Sequence, residues 1–177
     1  VLKKFVDGIR SSRLVWDLRR ANLRWRVPPW VPLGSPASLS FVDLSDEVLN
    51  GMKPVTIHGD LPDFFYRLRM PSNFGPWFVF DGITPQDLFD YAAARGIVLK
   101  GIDCSMPFLC LIVLGMGWSW NVFLAHSVLQ DMMTLRVPEL QGAGHLIDGV
   151  PTSQFVEFAM IFWLYIDDYA IMQLEDE

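Results

Sequence analysis

Apolar and polar positions along the 177-residue chain change period several times. Val55-Thr56-Ile57-His58 alternates with period two, the pattern of a strand, and leads into Gly59-Asp60. Phe155 to Ile166 and Tyr169 to Leu174 are apolar runs parted only by Asp167-Asp168, which predicts a hairpin with acids at its tip. Phe74 to Gly82 and Phe108 to Leu114 are also expected as strands, the first closing on an Asp-Gly turn and the second on the turn Gly115-Met116-Gly117. Helical signals lie elsewhere. Ser45 to Gly51 has a Ser cap, early acids and a terminal Gly; Thr84-Pro85-Gln86-Asp87 opens a helix that runs to about Arg95 and stops at Gly96; Trp120 to Leu135 is a longer helix. Residues 1 to 26 read as a strand or hairpin around Arg13-Leu14-Val15-Trp16 followed by a short basic helical turn. Val27 to Pro36, with four prolines, is a connector, and residues 141 to 153 form a loop. The chain has no visible internal repeat.

Composition narrows the function classes. The chain is 51% hydrophobic and 19% charged, which excludes a disordered or collagen-like protein. Its net charge is -6, yet residues 1 to 26 hold eight basic residues against Asp7 and Asp17, a net +6, so the remainder carries -12. A basic arm on an acidic body suits a protein that holds phosphates with one part and a cation with the other. Cys104 and Cys110 lie in apolar sequence and are expected as reduced thiols in an intracellular setting, cytoplasm or nucleus. The absence of Met at position 1 and the acidic Glu175-Asp176-Glu177 end read as a piece of a longer protein. No formal charge lies between Asp103 and Asp131, so a small membrane protein is the rival class. Pro107, Gly115, Gly117, Ser119, Asn121 and His126 interrupt that stretch and argue for no membrane span.

Asp167-Asp168 carries the chemistry. A hairpin needing only a turn would use Asn-Gly or Asp-Gly, and two adjacent carboxylates in apolar surroundings repel unless a cation joins them. Hard oxygen donors favour magnesium or manganese. An ordinary acidic turn is the alternative. Asp60 repeats the pattern at another strand end, again with a turn acid as the alternative, and Asp63 is placed to cap the next short helix. Acids at the ends of two adjacent strands could hold two metals for in-line phosphoryl transfer. His58, His126 and His145 have no ligand-like spacing and are read as structural.

Four motifs then resemble one family. Tyr165-Ile166-Asp167-Asp168 resembles the Tyr-x-Asp-Asp box of reverse transcriptases, and Asp60-Leu61-Pro62-Asp63-Phe64-Phe65 is similar to their first palm motif. Leu114-Gly115-Met116-Gly117-Trp118 resembles their Leu-Pro-Gln-Gly-aromatic turn, and Arg13 to Asn22 matches their fingers pattern Arg-x-x-x-Asp-x-Arg-x-x-Asn. The resemblance covers about residues 10 to 174. Gly115-Met116 departs from the usual Pro-Gln, which bears on template positioning and fidelity.

The resemblance implies an RNA-directed DNA polymerase of a retroelement. The fold would be α+β, a polymerase palm with a small antiparallel sheet backed by helices, plus part of the fingers. Residues 1 to 54 would be partial fingers and connector and 55 to 177 the palm, with a fingers-like insertion at about 72 to 105. It assigns Asp60, Asp167 and Asp168 to catalysis and, with the Leu61 carbonyl, to two Mg2+ or Mn2+ ions. Arg13, Asp63, Phe64, Phe65, Met116 and Gly117 would bind the dNTP, with Phe65 as the sugar gate and Lys3 or Lys4 assisting Arg13. Tyr165 would lie along the primer end, and Arg19 would either form a fingers ion pair with Asp17 or touch the template. The implied partners are a primed RNA or DNA template, dNTP, and the thumb and other domains of a parent polyprotein; no thumb or RNase H segment is identifiable. A catalytically silent relic that binds nucleic acid or protein is the alternative within the fold.

Overall fold

The computed structural model describes residues 2–6, 9–13, 15–100 and 107–176, the first two segments as backbone only. In chain order the elements are β1 (Leu2–Val6), β2 (Ile9–Arg13), α1 (Arg19–Asn22), α2 (Pro36–Ser40), α3 (Asp46–Leu49), β3 (Lys53–Asp60) and α4 (Phe64–Arg67). A 3-10 helix (Ser72–Trp77) follows, then α5 (Pro85–Ala93), α6 (Asn121–Arg136), a second 3-10 helix (Pro138–Gly142), β4 (Gly144–His145), β5 (Met160–Tyr165) and β6 (Asp168–Glu175). The class is α+β. Two compact units share these elements. One comprises Val1–Arg26 and Phe65–Trp118, the other Val27–Phe64 and Ser119–Glu177.

The second unit is built on a four-stranded sheet in the order β3-β6-β5-β4. β3 pairs antiparallel with β6 and β6 with β5, whereas the short β4 runs parallel to β5, so the expected antiparallel sheet is a mixed one. The predicted connector is irregular from Val27 to Ser35 and then enters α2, where Ser35 caps the helix through the Ser38 amide. Gly34 fastens it to the sheet: its N–H donates to the Leu164 carbonyl at 2.8 Å, and a Cβ there would lie 2.7 Å from Cβ of Trp163. Val42, Leu146, Phe155 and Ile161 form the core, with Leu39, Trp163 and Met172 packed against it. A void of about 20 Å³ beside Thr56 and Ala170 is as large as a single water and is lined by apolar atoms, so it is a packing defect, not a ligand site.

Two histidines in this unit are structural, as expected. His126 on α6 is fully buried, and neither ring nitrogen makes a hydrogen bond; the Pro32 carbonyl favours its charged form, but burial outweighs this and lowers its pKa. His145 on β4 stacks on Phe162 with ring centroids 4.4 Å apart. Burial, and then the charge of His126, push His145 down from 6.5 to about 4. A folded state that binds protons less readily than the unfolded chain loses stability as pH falls between those two values. Acidification from pH 6.5 to 4 should therefore cost about 3 kcal/mol at His145. Urea unfolding at the two pH values checks this, and His145→Phe, which keeps the stack, should flatten the profile; an equal slope in the variant contradicts it.

The first unit pairs the β1–β2 hairpin, which lies earlier than the expected Arg13 to Trp16 centre, with α1, α5 and an aromatic cluster. Thr84 opens α5 as expected and forms a capping box with Asp87, and Gly96 follows with φ 64°. The expected strands Phe74 to Gly82 and Phe108 to Leu114 do not form. The first is a 3-10 helix containing Pro76, and only isolated bridges remain, Val79 to Cys110 and Arg69 to Val113. Their apolar residues serve packing instead of a ladder. Trp25 stacks on Phe74 at 5.7 Å and Phe78 at 6.4 Å and meets Trp77 and Trp118 edge-on. No helix among the described residues is long and apolar enough to cross a membrane.

Candidate functional site

β3 and β6 meet in a register that sets Asp60 directly opposite Asp168. Asp60 and Asp168 therefore lie on one face of the sheet, together with Tyr165, which pairs with Asp168 from β5 and is 43% exposed. The ladder continues past the strand end: the Leu61 N–H donates to the Asp167 carbonyl at 2.9 Å. Residues 107 apart in sequence, Asp60 and Asp167, thus stand at one end of one sheet. Burial, and then the neighbouring Asp60 carboxylate, raise the pKa of Asp168 above the usual carboxylate value. A divalent cation would relieve that repulsion.

The hairpin between β5 and β6 is a two-residue loop, Ile166-Asp167, since Tyr165 pairs with Asp168. Ile166 has φ 61°, a left-handed conformation that costs a β-branched residue about 1–2 kcal/mol. A loop serving only as a turn would place Gly or Asn there. Asp63, in the turn before α4, is also left-handed at φ 56°, which Asp tolerates better. Phe64 is buried at 4% exposure, as its role in the core requires. Phe65 is half-buried. Gly59 was not singled out by the sequence. Its missing side chain makes room for Tyr169, whose hydroxyl would lie 2.5 Å from a Cβ at that position. The Tyr ring covers the glycine across the strand pair and braces the end of β3 next to Asp60.

Phe65 and the other proposed contacts, Arg13, Arg19, Met116 and Gly117, belong to the first unit. Arg13 ends β2 opposite Leu2, and Lys3 and Lys4 lie opposite Ser12 and Ser11; the side chains of all three lie outside the described residues. Arg19 is exposed and makes a two-pronged pair with Asp17, at 2.8 and 2.7 Å. That hydrogen bonding holds the Asp17 carboxyl at about 2. Gly117 has φ 118°, and a side chain there would run into the Trp16 carbonyl oxygen. Gly117→Ala is expected to destabilise by about 2 kcal/mol or more, because neither the conformation nor the backbone neighbour can give way. An unchanged urea midpoint would contradict this. Cys110 is a free, half-buried thiol, and Cys104 lies outside the described residues.

Among the described residues, no three His, Cys, Asp or Glu side chains are grouped to hold a metal ion by themselves. The donor chemistry that is present, two opposed carboxylates with one of them raised in pKa, fits an ion of the magnesium type. Such ions are commonly held by one or two carboxylates plus waters and substrate phosphates. No protein-family model matches the chain, and no curated protein matches it.

Proposed function

We propose that the chain is the palm and part of the fingers of an RNA-directed DNA polymerase, joining a dNTP to a primer 3′ hydroxyl. The observation that carries this reading is the opposition of Asp60 and Asp168, with Asp167 beside Leu61. Two motifs that resemble one catalytic centre, far apart in sequence, share one sheet end. Asp60, Asp167 and Asp168, with the Leu61 carbonyl, would hold two Mg2+ or Mn2+ ions. Bound there, such ions lower the pKa of the attacking hydroxyl and neutralise the phosphates of the leaving pyrophosphate.

The chain's own residues have separate tasks in this reading. The backbone at Asp63, Phe64 and Phe65 meets the triphosphate, with the Phe65 ring excluding a 2′ hydroxyl. Met116 and Gly117 approach the base pair. Arg13 neutralises nucleotide phosphates, a task for an always-charged planar fork. Tyr165 lies along the primer end, and Arg19 reaches the template backbone. The net +6 of residues 1 to 26 supplies the electrostatic attraction for the nucleic acid. A primed template, dNTP and the thumb and other domains of a parent polyprotein are the partners. The test is incorporation of a single complementary dNTP onto a primed RNA template with Mg2+ present. Extension by one nucleotide supports the reading; no incorporation with either Mg2+ or Mn2+, together with no metal-dependent binding of dNTP, overturns it in favour of a silent relic.

A further inference from the structure

The turn Gly115-Met116-Gly117-Trp118 is tied at three points to the segment Trp16 to Trp25. The Trp16 N–H donates to the Met116 carbonyl at 2.9 Å. The Asn22 side-chain amide donates to the Gly117 carbonyl, also at 2.9 Å and across 95 residues of sequence. The rings of Trp25 and Trp118 meet edge-on at 5.2 Å. These ties differ in what they fix. The first is a backbone bond that any residue at 16 other than Pro could make, and the aromatic contact has little directional force. Asn22 supplies the directional side-chain bond, and it holds the carbonyl end of a peptide that follows a glycine at φ 118° and whose N–H end donates to the Gly115 carbonyl at 3.2 Å.

We infer that Asn22 is a positioning residue: by holding the Gly117 carbonyl it sets the direction of the Gly117–Trp118 peptide, and with it the surface this turn offers the incoming nucleotide. The inference rests on the polymerase reading for the identity of that ligand; the clamp itself rests on the hydrogen bond. Chemistry explains the residue type. An amide donates where a carboxylate of the same shape cannot, and Ser is shorter by the atoms that make the reach.

The test uses the whole 177-residue chain with Asn22→Asp, which keeps the shape and loses the donor, and Asn22→Ala. The Trp118 N–H, bonded to the Gly115 carbonyl at 3.2 Å, reports the closed turn by hydrogen exchange. Both variants should exchange Trp118 about tenfold faster, the loss of one hydrogen bond. Exchange in α5 should stay unchanged, which shows that the unit is folded. In single-nucleotide incorporation, KM for dNTP should rise about tenfold with kcat within about a factor of two, since positioning is lost while the carboxylates are intact. Unchanged Trp118 exchange overturns the clamp. Faster exchange with unchanged KM overturns its link to the nucleotide, and neither result touches the polymerase reading. A wild-type chain that neither incorporates nor binds dNTP overturns that reading and the link to the nucleotide with it, while the exchange result still decides the clamp.

Discussion

Asp60→Asn should abolish Mg2+-dependent nucleotide incorporation, by about 10³-fold or more. Losing one ligand of a charge-stabilising ion removes several kcal/mol from the transition state, and each 1.36 kcal/mol is tenfold in rate. Stability should not fall with it. Asp60 is exposed and faces Asp168 across the strand pair, so the amide removes a like-charge repulsion and leaves the packing as it was. The pKa of Asp168 should move down without returning to the ordinary value, because burial is the larger cause of its rise and Asp60 the smaller. Parallel urea unfolding and single-turnover incorporation separate the two effects. A loss of less than tenfold, with the fold intact, would show that Asp60 does not hold a catalytic ion.

On the proposed polymerase reading, Phe65→Ala should weaken the preference for deoxyribonucleotides, lowering the ratio of kcat/KM for dNTP over rNTP by about 10²-fold. The structure separates the two neighbouring rings of this motif. Phe64 is buried at 4% exposure and is a core residue, whereas Phe65 is half-buried in α4 and retains surface with which to meet a sugar. Phe64→Ala should therefore act mainly on stability, costing about 3 kcal/mol or more as a buried ring is lost. Phe65→Tyr should keep the discrimination, since the ring is retained. An unchanged ratio in Phe65→Ala would remove the gate from Phe65 and leave the metal chemistry of Asp60 untested by that result.

Sequence pattern was informative where one local rule determined the outcome. Val55 to His58 alternates and is a strand; Thr84, Pro85 and Asp87 specify a capped start and α5 begins there; Asp167-Asp168 parts two apolar runs and a hairpin turns on Ile166-Asp167. The same rules misread Phe74 to Gly82 and Phe108 to Leu114. Aromatic and β-branched residues favour strands only when a partner edge is available, and here the rings of Phe74, Phe78 and Trp118 gather around Trp25 instead. The parallel pairing of β4, two residues long, carries no pattern in sequence at all. At the candidate site, the acids were visible as types but their opposition was not, because register between strands more than a hundred residues apart is decided by tertiary packing. Asn22 was legible only as a letter of a motif and Gly59 was not singled out at all; the Gly117 carbonyl and the Tyr169 ring give them physical tasks.

The account stands on Asp60 and Asp168 acting as one cation site, and calorimetric titration of the protein with Mg2+ and a dNTP tests that most directly. The wild-type chain should bind the dNTP about tenfold more tightly with Mg2+ than without it, the strengthening expected when the cation joins carboxylate to phosphate. Asp60→Asn and Asp168→Asn should each remove that gain. Equal affinity with and without Mg2+, or a gain that survives both substitutions, would show that the two opposed carboxylates are not a metal–nucleotide site.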